Sequence, residues 1–173
     1  TQPVGRGIGP ALEARDVLAV LQRAEDAPAD LRARAISLAG ELLEIAGHCT
    51  IGAGAALAAD VLADGRAWSK FQSICEAQGG LREPPDSEQR WEIRAPRAGR
   101  VDAIDNRRLS RAAKLAGAPS AKAAGVRLRV RVGDIVEAKQ PLFELHAESA
   151  GELEYARDYL REHDDILGIG ETQ

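Results

Sequence analysis

Apolar residues in the first 80 positions recur at helical spacing. Leu12, Val17, Leu18, Val20 and Leu21 form one stripe, and Leu31, Ile36, Leu42, Leu43 and Ile45 form another in a segment that opens after Pro28 with Asp30 near its first turn. A third helix is expected to hold Leu57, Val61 and Leu62 and to stop at Gly65, and a fourth to hold Trp68, Phe71, Ile74 and Cys75 before the glycines at 79 and 80. No strand is expected in this block, so its apolar faces need partners. The charged, proline-bearing stretch REPPDSEQR (82–90) then interrupts every period and reads as a linker.

Beyond it the period changes to two. WEIRA (91–95), RVDAI (100–104), VRLRVRV (126–132) and PLFELHA (141–147) alternate apolar and polar residues between turn residues and predict four strands. Leu109, Ala112, Ala113 and Ala116 make a helical stripe that ends at Gly117. A last amphipathic helix carries Leu153, Ala156, Tyr159 and Leu160, with Ser149 as its cap, and DILGIG adds an edge strand. Trp91, Ile93, Val101, Ile104, Val126, Leu128, Val130, Leu142 and Leu145 are the expected sheet core. The second half is therefore α+β with a mostly antiparallel sheet.

Composition narrows the function classes. The 173 residues are 45% hydrophobic and 29% charged with a net charge of −4, which suits one or two small globular domains and argues against disorder. Both charge signs are mixed along the length, so neither a nucleic-acid nor a membrane face is expected; Arg127, Arg129 and Arg131 read as the solvated side of a half-buried sheet. Cys49 and Cys75 lie far apart without metal-type spacing and read as reduced thiols of a cytoplasmic protein. No signal peptide is expected, and the sequence holds no long apolar run. The absence of an initiating Met and the start inside a glycine-rich motif lead us to expect a piece of a longer protein.

Candidate chemistry is sparse. Gly5, Gly7 and Gly9 precede a helix, where free amides could cradle phosphate. However, G-x-G-x-G followed by Pro10 matches neither the dinucleotide nor the Walker spacing, and a closely packed turn is the competing reading. His48, His146 and His163 fall in different elements, and no Ser, His and Asp grouping suggests a nucleophile. Asp164 with Asp165, and Glu83 with Asp86, read as solvated charge. IRAPRAGRV followed by VGDIVEAKQPLFEL, with Gly133 and Asp134 making a tight turn, has the grammar of a barrel-sandwich module and resembles biotinyl and lipoyl carrier domains. Lys114 and Lys122 lack the flanking residues of a carrier lysine.

Taken in order, QPVGRGIGPALEARDVL, DLRARAISLAGELLEIAG, DGRAWSKFQSICEAQGG, GRVDAIDNRRLSRAAKLAGAP and GVRLRVRVGDIVEAKQPLFELHAES resemble the C-terminal part of the thymidine phosphorylase family, which includes pyrimidine-nucleoside and AMP phosphorylases. GIGPALEA and AIDNR are similar to the branch containing the AMP phosphorylases and the bacterial proteins that carry the thymidine phosphorylase name. The resemblance implies a helical remnant of an α/β domain (1–81), a linker (82–89) and a C-terminal α+β domain of hammerhead, barrel-sandwich type (90–173).

It also implies a glycosyltransferase of the pentosyl class that carries out reversible phosphorolysis of thymidine or a related nucleoside. The phosphate- and base-binding residues would lie upstream, so the chain alone is expected to be inactive. Phosphate and nucleoside are the implied partners of the full-length protein, which would be a cytoplasmic homodimer with no organic cofactor. By the same resemblance a potassium ion would be held by Val4, Gly7 and Asp16, through two backbone carbonyls and one acidic side chain. The alternatives are an AMP phosphorylase of the same family and a non-catalytic, carrier-like binding module.

Overall fold

The computed structural model describes residues 2–171. The chain is α+β: β1 (Gly7–Ile8), α1 (Pro10–Leu21), α2 (Ala29–Ile45), α3 (Gly54–Ala63), α4 (Arg66–Ala77), β2 (Gln89–Arg94), β3 (Gly99–Ile104), α5 (Asn106–Leu115), β4 (Gly125–Leu128), β5 (Ile135–Val136), β6 (Pro141–Ala147), α6 (Ala150–Glu162), a single 3-10 turn (Asp164–Ile166) and β7 (Leu167–Gly170). These elements divide into two compact units, one made of the residues up to Arg15 together with those from Pro84 onward, the other of Asp16–Glu83. The boundary falls within α1.

In the first unit two antiparallel sheets, ordered β1-β4-β6-β2 and β5-β3-β7, enclose the core with α5 and α6. The register sets Trp91 opposite Leu145, Ile93 opposite Phe143 and Val126 opposite Leu145, so one face of the larger sheet is continuously apolar. Of the expected core residues, Val101, Ile104, Val126, Leu128, Val130, Leu142 and Leu145 are buried, and Trp91 and Ile93 pack against them half-buried. The helical stripe of α5 is buried as its spacing requires, with the Asp105 carboxylate accepting from Arg107 N and Arg108 N at 3.0 Å. Ser149 caps α6 by accepting from Glu152 N, and its hydroxyl donates to the Glu152 carboxylate.

Three expectations are corrected. The first 80 residues do contain a strand, β1, two residues long and too short to show a period; it is held by pairing Gly7 with Arg127 and Ile8 with Val126. The run 126–132 is not one strand, because the ladder ends at Leu128. Beyond it the Asp134 carboxylate accepts from Arg131 N at 2.7 Å and draws the chain into the Gly133–Asp134 turn, while Val130 stays buried. In addition, a strand not expected from the sequence, β5, pairs with Gly99 and Arg100 of β3.

The second unit is helical. In it α2 and α3 cross in close backbone contact, with Gly40 and Gly54 both buried. Val17, Leu42 and Ile45 do not follow their stripes inward: Leu42 is 66% and Ile45 83% exposed. Among the described residues no helix is long and apolar enough to cross a membrane.

Candidate functional site

The glycine-rich N-terminal loop is a packed turn. A Cβ on Gly7 would lie 2.5 Å from the Leu12 carbonyl carbon, and one on Gly9 would lie 2.3 Å from the Ala124 carbonyl oxygen, so the backbone approaches here more closely than any other residue permits. The first amides at the start of α1 are engaged. Gly9 N donates to the Glu13 carboxylate at 2.9 Å, Pro10 has no N–H, and Ala11 N donates to Lys122 O at 3.0 Å. An incoming phosphate would meet Glu13 rather than free donors. Of the residues that the resemblance assigns to a cation, Val4 is half-exposed before β1, Gly7 is buried in β1, and Asp16 is a buried carboxylate in α1, 7% exposed. Among the described residues no three His, Cys, Asp or Glu side chains are grouped as metal ligands.

A polar cluster lies on one face of the larger sheet. Glu144 and His146 are two residues apart on β6 and so share a face, and the antiparallel register sets Arg127 opposite Glu144 and Arg90 opposite His146. Ser87, in the stretch read as a linker, packs its hydroxyl 2.8 Å from His146 Nδ1, and both residues are buried. On the other side of the ring, Nε2 lies 3.7 Å from the Glu144 carboxylate, too far for a hydrogen bond, and Glu144 accepts from Arg129 at 2.7 Å. Electrostatics selects the tautomer: with the proton on Nε2 it faces the carboxylate, and the Ser87 hydroxyl donates to Nδ1.

Burial lowers the His146 pKa to about 4; Glu144 opposes the shift, and Arg90, Arg127 and Arg15 add to it. Ser, His and Glu are thus brought together where the sequence suggested no such grouping. The signal was hidden because Ser87 precedes β2 and only the β2–β6 register carries it to His146. The serine is enclosed, which denies it a substrate, so the pair acts as a clasp. Arg15 reinforces that clasp by donating to Pro84 O at 2.9 Å and Pro85 O at 3.0 Å and pairing with Asp86 at 2.9 Å.

The remaining candidates stay apart. His163 Nδ1 lies 2.9 Å from Tyr159 O and its ring stacks on Tyr159, whereas His48 follows α2 in the helical unit. Lys114 is exposed in the last turn of α5, and Lys122 donates to Pro119 O at 3.3 Å. Lys139, not singled out from the sequence, is the lysine between β5 and β6, with φ 69° and its N–H held by Ala95 O at 2.8 Å; it is flanked by Ala138 and Gln140.

The comparisons with known proteins agree in direction. Residues 100–166 match the pyrimidine nucleoside phosphorylase C-terminal domain. The chain is 64% identical over 170 residues to "Putative thymidine phosphorylase 1" of Acidovorax sp. (strain JS42), covering 98% of this chain and 33% of that protein. It is 62% identical over 169 residues to "Putative thymidine phosphorylase" of Chelativorans sp. (strain BNC1), covering 98% and 33%, and 53% identical over 172 residues to the protein of that name from Legionella pneumophila (strain Paris), covering 99% and 33%. The chain spans about a third of the length of these curated relatives. Over nearly its whole length the chain is therefore similar to a part of proteins that carry the thymidine phosphorylase name, and its residues 100–166 match a C-terminal domain of pyrimidine nucleoside phosphorylases.

Proposed function

We propose that this chain is the C-terminal region of a nucleoside phosphorylase that cleaves thymidine or a related nucleoside reversibly. A phosphate oxygen bonds to the anomeric carbon as the bond from that carbon to the base nitrogen breaks, giving free base and pentose 1-phosphate. The observation that carries this reading is the 64% identity, over 98% of the chain, to a relative bearing the thymidine phosphorylase name. Such a reaction needs cationic and N–H donors where charge develops on phosphate and departing base. In the N-terminal loop those donors are engaged, and Ser87 and His146 are buried in a clasp. Both facts support placing the reacting groups upstream. The full-length protein would be a cytoplasmic homodimer that assembles through its upstream part.

A potassium ion fits the donor chemistry of the loop, since two backbone carbonyls and a carboxylate are hard oxygen ligands that can replace a hydration shell. Val4, Gly7 and Asp16 would hold it, and the ion would brace the start of α1 rather than take part in bond breaking.

The test exchanges the C-terminal third of the Acidovorax relative for this chain and follows release of free base from thymidine, uridine and AMP in phosphate buffer. The chimera should turn over at least one of the three, and the 173-residue chain alone should turn over none. Asp16→Ala in the chimera should weaken the response to potassium. Turnover by the chain alone at a comparable rate would place the chemistry in the wrong part of the protein. A chimera inactive on all three, beside an active parent, would sink the functional reading, and an unchanged potassium response would retire the cation site.

A further inference from the structure

The first two turns of α5 concentrate positive charge without neutralising it. Arg107, Arg108 and Arg111, with Asp105 and Tyr159, line an open recess of about 380 Å³. Arg108 is balanced, pairing with Asp165 and lying 3.6 Å from the Asp105 carboxylate, which is itself occupied as the helix cap. Among the described residues, the guanidinium groups of Arg107 and Arg111 have no such acid. The sequence explains why: the positions three and four residues away from each of them hold Ile104, Ala103, Ser110, Lys114, Leu115 or another arginine, never Asp or Glu. Arg107 and Arg111 are also four apart, an arrangement that costs helix stability through like-charge repulsion.

The neighbouring helix shows the contrast. On α6, Arg157 is paired with Glu154, and Arg161 with Glu154 and Asp158. Asp and Glu outnumber Lys and Arg by 27 to 23 in this chain, so two guanidinium groups without an acid in one recess are not forced by composition. A guanidinium fork matches the oxygen geometry of phosphate and can bind it bidentately, and the Tyr159 phenol at the recess adds a neutral O–H donor. The volume accommodates a phosphate group with a small organic remainder.

We infer that this recess binds the phosphate group of a small organic phosphate, with Arg107 and Arg111 as the ion-pairing groups and Tyr159 as a hydrogen-bond donor. Arg108, tied to Asp105 and Asp165, positions the helix start. Binding is exposed to solvent and weakens as salt is raised.

The experiment titrates the 173-residue chain with inorganic pyrophosphate by calorimetry. The expected result is saturable binding that falls at least tenfold in the double variant Arg107→Ala, Arg111→Ala and by a smaller factor in Tyr159→Phe, which keeps the ring stacked on His163. A second double variant, Arg34→Ala with Lys70→Ala, removes the same charge from exposed positions elsewhere and should bind like the wild type. Circular dichroism of each variant checks that the fold is intact, which surface changes to a strong helix former should preserve. Equal affinity of wild type and the Arg107/Arg111 variant would overturn the site, as would equal losses in both double variants or no binding at millimolar pyrophosphate. Tighter binding of a single-stranded oligonucleotide than of pyrophosphate through the same two arginines would overturn the small-molecule assignment.

Discussion

His146 is a base kept neutral by its surroundings, and that state has a pH signature. Its pKa falls from the ordinary 6.5 to about 4 because burial disfavours the imidazolium. Between those values the unfolded chain binds a proton that the folded chain does not. The contribution to stability is therefore complete above about pH 6.5 and is lost as pH falls toward about 4. His146→Gln removes this component, so thermal midpoints measured across that range should fall more steeply for the wild type than for the variant; parallel curves would show that His146 does not titrate as described. Ser87→Ala leaves buried Nδ1 without its donor and should cost about 1–3 kcal/mol in a denaturant titration at neutral pH. At this scale the sequence was only half legible. It put His146 at a strand end and Ser149 at a cap, both from local pattern, but Ser87 meets His146 through strand pairing that no local pattern encodes.

Helix packing in the second unit turns on two glycines whose role no period reveals. Gly40 sits inside α2, where propensity alone counts it as a defect of about 1 kcal/mol relative to Ala. The structure gives the compensation. A Cβ on Gly54 would lie 2.1 Å from the Gly40 carbonyl oxygen, and one on Gly40 would lie 2.5 Å from Ala55 N, so the two backbones touch. The start of α3 has no cap of its own; Glu44 of α2 accepts from Gly54 N at 2.8 Å instead. Gly54→Ala should therefore lower the stability of the helical unit by about 1–3 kcal/mol or more through overpacking, read as an earlier loss of helical circular dichroism in urea. Gly151→Ala, at the start of α6 with open space around it, is the control and should be neutral or stabilising. A Gly54→Ala protein as stable as wild type would show that the crossing relaxes freely. Apolar spacing reveals which side of a helix is buried, but not how near a second backbone comes, and for that reason the helices were legible and their crossing was not.

The two units bury their apolar residues to different degrees. The continuous core runs from Ala95 to Leu167 and lies wholly in the α+β unit, which is why alternation in that half of the sequence foretold it so closely. In the helical unit few large side chains are fully buried. Its α2, α3 and adjoining residues instead border an apolar groove of about 550 Å³ lined by Val20, Ile36, Leu42, Leu43, Val61 and Leu62. The sequence anticipated faces that need partners without showing which residues would stay open. On the proposed reading, the upstream part of a full-length protein covers this surface. In the chain taken alone it faces water, and contiguous apolar area of that kind drives association. The 173-residue chain should therefore sediment with a mass that rises with concentration and should enhance the fluorescence of an apolar dye. Leu42→Glu with Ile45→Glu, at positions 66% and 83% exposed, should suppress both effects without lowering thermal stability, because neither side chain has a core to leave. If the wild-type chain stays monomeric at all concentrations and binds no dye, the groove is closed in solution and the helical unit completes its own core.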